Sequence, residues 1–561
     1  MHRLKLNKKL SLLVILSLFS VNSFAAVATK QSTAPAWEKD KSYSFTILHT
    51  NDHHGRFWQN DIGEYGLAAQ KTVVDQIRKE VAEKGGKLLL LSGGDINTGV
   101  PESDVLQAKP DFIGMNEIGY DAMAVGNHEF DHPLAIIREQ QKWAHFPFLS
   151  ANTYFKNTDN RVFDAYKMFD LNGIKVAVFG LTTDDTIFLA SPKNTDGVEF
   201  RKTLPEAEKV ISQIKSNERP DMIIAVTHMG HYENGEHGSM APGDVELARG
   251  LKAGELDMIV GGHSQNPVCM ASPNKRITEY VPGTPCAPDQ QNGTWIVQAH
   301  EWGKYVGRAD FVFLNGKITL KNYQLIPINL KKEVDNGNDT KRLEYYTNEI
   351  EQDKKLLETL KPYQDQGKQQ LLIKSGELIG RLEGDRSVVR YQQSNMGQLL
   401  LSAFIEKTNA DIGIMAGGMI RDSLIEGNIT YRDILKVEPF GNTVVYFDLT
   451  GRELMEYLKV ALSKKQGSGG YTHLKNITLT KTGDTISDIK INNESLDLQK
   501  SYRIATLDFL AAGGDGYPIV NNSPTYVDTG YRDADAVKQY FEAHSPINAA
   551  DYQPSNFILE K

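Results

Sequence analysis

Residues 45–55 read FTILHTNDHHG, an apolar run from Phe45 to Leu48 that passes into a polar end carrying Asp52 and His54. The same pattern recurs down the chain. KLLLLSGGD at 87–95 ends on Asp95, AMAVGNHEFD at 122–131 on Asn127, His128 and Asp131, MIIAVTH at 222–228 on His228, and MIVGGHSQ at 258–265 on His263 and Gln265. A further apolar run spans Val176 to Phe179. Short apolar runs that close in Gly-containing polar sequence, most followed by a helical pattern, predict buried strands of an α/β sheet covered by helices. In such a sheet the loops at the carboxyl ends of the strands form the ligand crevice, so residues distant in sequence converge there. Any one of these motifs is an ordinary cap or turn. Five in order, each tipped with Asp, Asn, His or Gln, point to a metal site.

At 561 residues the chain exceeds what one hydrophobic core organises, so two unequal domains are expected, and a hydrophobic content of 40% without low-complexity tracts argues that both are globular. Arg3, Lys5, Lys8 and Lys9 precede an apolar run from Leu10 to Val21 and then Ser23-Phe24-Ala25, the form of a cleavable export signal, too short for a membrane span. Residues 1–25 are read as that signal, with cleavage near Ala25, no stable membrane anchor and a periplasmic destination. The formal net charge is −9, and loss of the signal removes four cations more, so a nucleic-acid polymer is a poor partner. An anionic substrate must be drawn by local cations. The two cysteines, Cys269 and Cys286, share one Pro- and Gly-rich stretch, and in an oxidising compartment a disulfide is the natural reading, since no motif supplies a base to activate either sulfur.

Leu343, Tyr346, Ile350, Leu357 and Leu360 fall at roughly helical spacing among charges, with Pro362 after them. That spacing predicts a helix over 341–360 joining the domains. The division expected is 26–340 for a catalytic domain, 341–366 for a linker helix or hinge, and 367–561 for a second α/β (α+β) domain with a helix from about Ala534 to Ala543.

The ordered motifs resemble the calcineurin-like metallophosphoesterase pattern Asp-x-His, Gly-Asp, Gly-Asn-His-Glu/Asp, His, Gly-His-x-His, departing from it at Gln265, where the nucleotidase branch also carries Gln. The resemblance implies a four-layer αββα sandwich for the first domain and two divalent metals. One would be held by Asp52, His54, Asp95 and Gln265, the other by Asp95, Asn127, His228 and His263, with Asp95 bridging. A shared carboxylate suits two ions ~3.5–4 Å apart. Zn2+ is expected first, with Mn2+, Co2+ or Mg2+ as substitutes. His128 corresponds to the family's catalytic histidine and Asp131 to the group that orients it. His49, His53, His231, His237 and His300 are read as structural, supporting or exposed.

In the second domain Arg386 and Arg390 stand four apart, Arg421 follows Gly417-Gly418, Phe440 and Asn442 lie in EPFGN at 438–442, and Phe509 and Asp515 lie in LDFLAAGGDGY at 507–517. Taken singly, an arginine is usually a surface ion-pair residue and a Phe usually core. Together these motifs resemble the nucleotide-binding motifs of the 5′-nucleotidase family, which implies a base stacked between Phe440 and Phe509, bonded by Asn442, with Asp515 on the ribose and the arginines on phosphate. The likeness spans nearly the whole chain after the signal and is greatest to the bacterial UDP-sugar-hydrolysing branch, in stretches such as His49 to Gly55, Leu91 to Ser103 and His300 to Asp310. It implies a hydrolase for nucleotide salvage, in which a metal-bound hydroxide attacks in line on nucleoside 5′-phosphates and on the pyrophosphate of UDP-sugars; no assembly motif is evident, so a monomer is the default expectation. A 2′,3′-cyclic nucleotide phosphodiesterase/3′-nucleotidase, or a catalytically silent nucleotide-binding protein, would share much of this pattern.

Overall fold

The computed structural model describes residues 37–190, 192–233, 241–335, 341–554 and 558–560. The export-signal reading and His237 lie outside the described residues.

The first domain is built on two six-stranded sheets. One runs, in spatial order, 317–327, 305–314, 42–50, 87–92, 122–124, 148–149; the other runs 289–291, 294–297, 258–260, 222–228, 174–182, 166–171. The central strands are parallel and carry the motif loops, while the flanking pairs 42–50/305–314 and 166–171/174–182 are antiparallel. Period-two alternation explains how a continuously apolar strand serves two interfaces. Ile223, Ala225 and Ile259 pack under the helix Thr203–Asn217 with Ala207, Val210, Ile211 and Ile214, whereas Met222, Ile224, Val226 and Val260 turn inward to the core shared with the first sheet. On the far side the helices Leu67–Glu83 and Lys109–Ile118 cover the first sheet through Val74, Ile77, Phe112 and Ile118. The result is the expected αββα sandwich.

The second domain has its own core around a five-stranded sheet of order 472–475, 412–416, 501–507, 443–450, 527–532, packed with the helices Asn395–Thr408 and Asp533–His544. The latter matches the helix expected near 534–543.

The helix expected over 341–360 is corrected. Lys341–Tyr345 is a strand paired antiparallel with Lys331–Asp335, and the helix occupies Lys354–Leu371. Leu343 and Tyr346, which suggested helical spacing, are exposed on or just after this ribbon. The helix starts where Asp353 Oδ1 accepts from the Leu356 N–H at 2.7 Å, a side-chain cap. Pro362, read as its end, sits inside it. A proline removes its own backbone donor and crowds the preceding turn, but burial of Leu356, Leu360 and Leu371 offsets that cost. Leu356 and Leu360 bury into the first domain's core, so this connector is largely that domain's own.

Gly367 shows how closely the connector is seated. A Cβ there would lie 2.8 Å from Cα of Glu102, on the helix Pro101–Asp104. In an exposed helix Gly→Ala stabilises by about 1 kcal/mol, but overpacking against backbone costs about 1–3 kcal/mol. Gly367→Ala is therefore expected to lower the urea midpoint, and an unchanged or raised midpoint would show that the two helices can separate without cost.

Candidate active site

The five loops meet at one edge, where the carboxyl ends of both sheets approach each other, and the approach is tight. A Cβ on Gly93 would fall 2.3 Å from the Gly261 carbonyl and one on Gly262 2.6 Å from the Gly93 carbonyl, and within the first sheet one on Gly126 would fall 2.1 Å from Asp95 Oδ1. Asp52, His54, Asp95, His263 and Gln265 all have left-handed backbone, φ +52°, +51°, +56°, +79° and +55°. Such conformations are unfavourable for residues with a Cβ and persist only where surrounding bonds over-determine them. Those bonds are present. Glu129 accepts from the N–H groups of Asp95, Ile96 and Gly126, tying two motif loops together, and Asn51 donates to Asp52 Oδ2 at 2.6 Å while accepting from the Ala299 N–H. Sequence reasoning left both residues unassigned, although Glu129 stands within the quoted motif at 122–131.

Asp95 is at the centre. Its Oδ2 lies 2.8 Å from His228 Nε2 and 3.8 Å from His54 Nε2, and its Oδ1 accepts from the His128 N–H at 2.9 Å. His54 Nε2 is also 3.8 Å from Asp52 Oδ1. The ring protons are placed by carbonyls, which can only accept: His54 Nδ1 donates to the carbonyls of Thr98 at 2.8 Å and Asn97 at 3.1 Å, and His228 Nδ1 to that of Gly93 at 2.7 Å. Both rings therefore turn Nε2 toward the Asp95 carboxylate. The Gln265 amide nitrogen donates to His54 Nε2 at 2.8 Å, and His263 Nδ1 lies 2.8 Å from Asn127 Oδ1. His54, Asp95 and His128 bring one ligand atom each within 4.8 Å of one another, as do Asp95, His228 and His263.

This donor set fits a pair of divalent cations. The Nε2 atoms of His54 and His228 converge on one Asp95 oxygen, with the buried Asp52 carboxylate beside His54. Burial pushes the Asp52 carboxyl up to about 7, with His228 opposing and Asp95 adding to the rise. The sequence-predicted ligands Asp52, His54, Asp95, Asn127, His228, His263 and Gln265 are thus brought together, and the geometry adds His128 to their neighbourhood.

His128 and Asp131 frame the opening of the cluster. His128 Nδ1 is 2.6 Å from Asp131 Oδ2 within the short turn His128–Asp131. Burial works against the imidazolium, but the Asp131 and Asp95 carboxylates outweigh it and hold its pKa above the ordinary value.

A cleft of about 870 Å³ lies above, lined by Asp95, Asn127, His128, Asp131, His263 and Gln265 from one domain and by Arg386, Arg390, Arg421, Phe440, Asn442, Phe509 and Asp515 from the other. All seven residues expected from the second domain reach it. Arg386 donates to Gln265 Oε1 at 2.9 Å, and Phe440 stacks on His128 with ring centroids 5.7 Å apart and planes 14° from parallel. Burial, then mutual repulsion with neighbouring arginines, brings Arg390 down to about 9 and Arg421 to about 10. An anion would relieve both. Burial raises Asp515 to about 6. The set-aside histidines have other partners: His49 Tyr323, His53 Asp111, His231 Asp289, and His300 the ring of Tyr305. Cys269 and Cys286 form a disulfide just after the last motif loop.

Sandwich and cluster together define a metallophosphoesterase. Residues 45–267 match the calcineurin-like phosphoesterase family and residues 376–522 match the 5′-nucleotidase C-terminal domain. The chain is 59% identical over 541 residues to the protein UshA of Yersinia enterocolitica, covering 96% of this chain and 98% of that one, and 54% identical to a 5′-nucleotidase of Vibrio cholerae, covering 97% and 99%. Among solved structures, the 5′-nucleotidase precursor of Thermus thermophilus superposes with a TM-score of 0.73 at 25% identity, covering 92% of this chain and 99% of that one. The chain belongs to the 5′-nucleotidase family of calcineurin-like metallophosphoesterases.

Because a Cβ at 126 must displace the Asp95 carboxylate, Gly126→Ala is expected to cut metal uptake from about two ions per chain, the number of a two-metal site, to below one. Elemental analysis after dialysis against Zn2+ reads this directly. Full loading of the variant would mean that Asp95 is not shared.

Proposed function

We propose that this protein hydrolyses extracytoplasmic nucleotides for salvage, releasing phosphate from nucleoside 5′-phosphates and splitting the pyrophosphate of UDP-sugars. The observation that carries the reading is a single cleft lined on one side by the metal-ready cluster and on the other by three arginines, two aromatic rings and a buried carboxylate. Relatives bearing the name 5′-nucleotidase over almost the whole chain support it. The division into 26–340, 341–366 and 367–561 belongs to the same reading, with the start of the Lys354–Leu371 helix riding on the catalytic domain. We infer a monomer exported to the periplasm, its signal removed near Ala25. Among the described residues no helix is long and apolar enough to cross a membrane.

Asp52, His54, Asp95 and Gln265 would hold one cation, and Asp95, Asn127, His228 and His263 would hold the other, with Zn2+ favoured by the imidazoles and Mn2+, Co2+ or Mg2+ able to replace it. When bound, the cations polarise the phosphoryl group and make water nucleophilic. Arg386, Arg390 and Arg421 bind the phosphate oxygens and offset their charge. Phe440 and Phe509 hold the base between them, Asn442 bonds its edge and Asp515 takes the ribose hydroxyls. With Nδ1–H held by Asp131, His128 turns Nε2 toward the reacting phosphate, where its proton stabilises the transition state and can pass to the leaving oxygen. Since phosphate and base are held by different domains, closing them on each other assembles the site.

Metal-stripped and restored protein should release phosphate from AMP and UMP from UDP-glucose, and Asp95→Ala should release neither. Hydrolysis confined to a cyclic or non-nucleotide ester would overturn the substrate assignment. Losing one stacking ring costs about 1–3 kcal/mol, so Phe440→Ala is expected to raise KM for AMP about 10- to 100-fold with a smaller change in kcat. A KM at the wild-type value would remove Phe440 from the base site.

A further inference from the structure

Thr98 lies between the metal-ready cluster and the His128–Asp131 pair and bonds to both. Its hydroxyl donates to Asp131 Oδ2 at 2.6 Å, the same oxygen that receives His128 Nδ1 at 2.6 Å. Its carbonyl accepts from His54 Nδ1 at 2.8 Å, the bond that fixes which nitrogen of that ring faces Asp95. The residue is buried, at 7% exposure, yet lines the cleft. Its backbone is left-handed, φ +63°. For a β-branched residue this conformation is a genuine outlier, and an outlier beside reacting groups is retained where the surrounding structure demands it. Here the demand is legible: with this backbone one residue serves His54 with its carbonyl and Asp131 with its side chain. The main chain of Asp131 is anchored separately, its carbonyl accepting from Asn194 Nδ2 at 2.7 Å. What Thr98 adds is the direction of the carboxylate.

We infer that Thr98 is a positioning residue for the hydrolysis, aiming the Asp131 carboxylate at His128 Nδ1 so that His128 presents Nε2 to the substrate phosphate. This rests on the function proposed above. A carboxylate oxygen accepting two donors along different directions is held in one orientation, whereas an oxygen bonded only to the imidazole can swing with the ring. Without the hydroxyl the pair stays within reach but loses its fixed direction toward the cleft. The consequence falls on the chemical step, because the Thr98 hydroxyl bonds to Asp131 and not to the arginines or aromatic rings assigned to phosphate and base.

The test uses Thr98→Val, which keeps the branched shape without the hydroxyl, Thr98→Ser, which restores it, and both Thr98→Val and wild type in a His128→Asn background. General acid–base assistance is worth roughly 10²–10⁴-fold, and loss of an orienting bond should forfeit part of it, about 10-fold in kcat on AMP. Thr98→Val is expected to show that drop with KM within about twofold of wild type and Zn2+ content unchanged, and Thr98→Ser to recover most of the rate. In the His128→Asn background Thr98→Val should cost almost nothing further, since residues acting through one group are non-additive. A wild-type kcat in Thr98→Val beside a slow His128→Asn overturns the Thr98 assignment and leaves the proposed function standing. So does a loss that multiplies with that of His128→Asn, or one accounted for by missing Zn2+. Wild-type rates in both single variants overturn the role of the pair and the Thr98 assignment with it.

Discussion

A carboxylate with almost no exposure is costly unless positive charge and hydrogen bonds surround it, and Asp95 is such a carboxylate, 1% exposed at the meeting edge of two sheets. Its neighbours answer that cost, His228 at 2.8 Å and the His128 N–H, while Glu129 holds the Asp95 backbone N–H from behind. The rest of the site is arranged around those contacts. The two sheets approach closely enough that Gly93 and Gly262 cannot carry a Cβ, and the left-handed backbone at five prospective ligands follows from the turns needed to point them all at one place.

The second domain answers a different electrostatic problem. Burial, and then the charge of the neighbouring Arg386, lowers the proton affinity of Arg390 and Arg421, an unfavourable grouping that an anion in the cleft would offset. Contacts across the cleft place that cationic wall opposite the metal-ready cluster. Arg386 reaches Gln265, Phe440 covers His128, and Arg432 pairs with Glu102, which is fully buried beside the connecting helix. A phosphate lying between the walls is met by cations on both sides, and the atoms joined to it are carried toward Phe440, Phe509 and Asp515.

Much of this was legible without coordinates, and unevenly so. Strand ends announce themselves because an apolar run must stop where the chain leaves the sheet, and the polar residues placed there face the crevice. That is why Asp52, Asp95, His228 and His263 could be named from sequence. The 341–360 segment failed for the converse reason. Leu343 and Tyr346 follow helical spacing by coincidence on an exposed ribbon, and the true helix, capped by Asp353, runs through Pro362 because Leu356, Leu360 and Leu371 bury against other parts of the protein.

The sequence by itself determined the α/β class of the catalytic domain and the order of the motif loops, since these depend on local apolar periodicity and residue type, while its likeness to a known family singled out the candidate site residues. Only the tertiary structure decided that Asp95 stands between His54 and His228, which imidazole nitrogen each presents, how Thr98 and Glu129 brace the site, and that candidate site residues of both domains line one cleft. Those facts depend on distances between segments far apart in the chain. They are set by how two sheets and a second domain pack, and no local pattern encodes that packing.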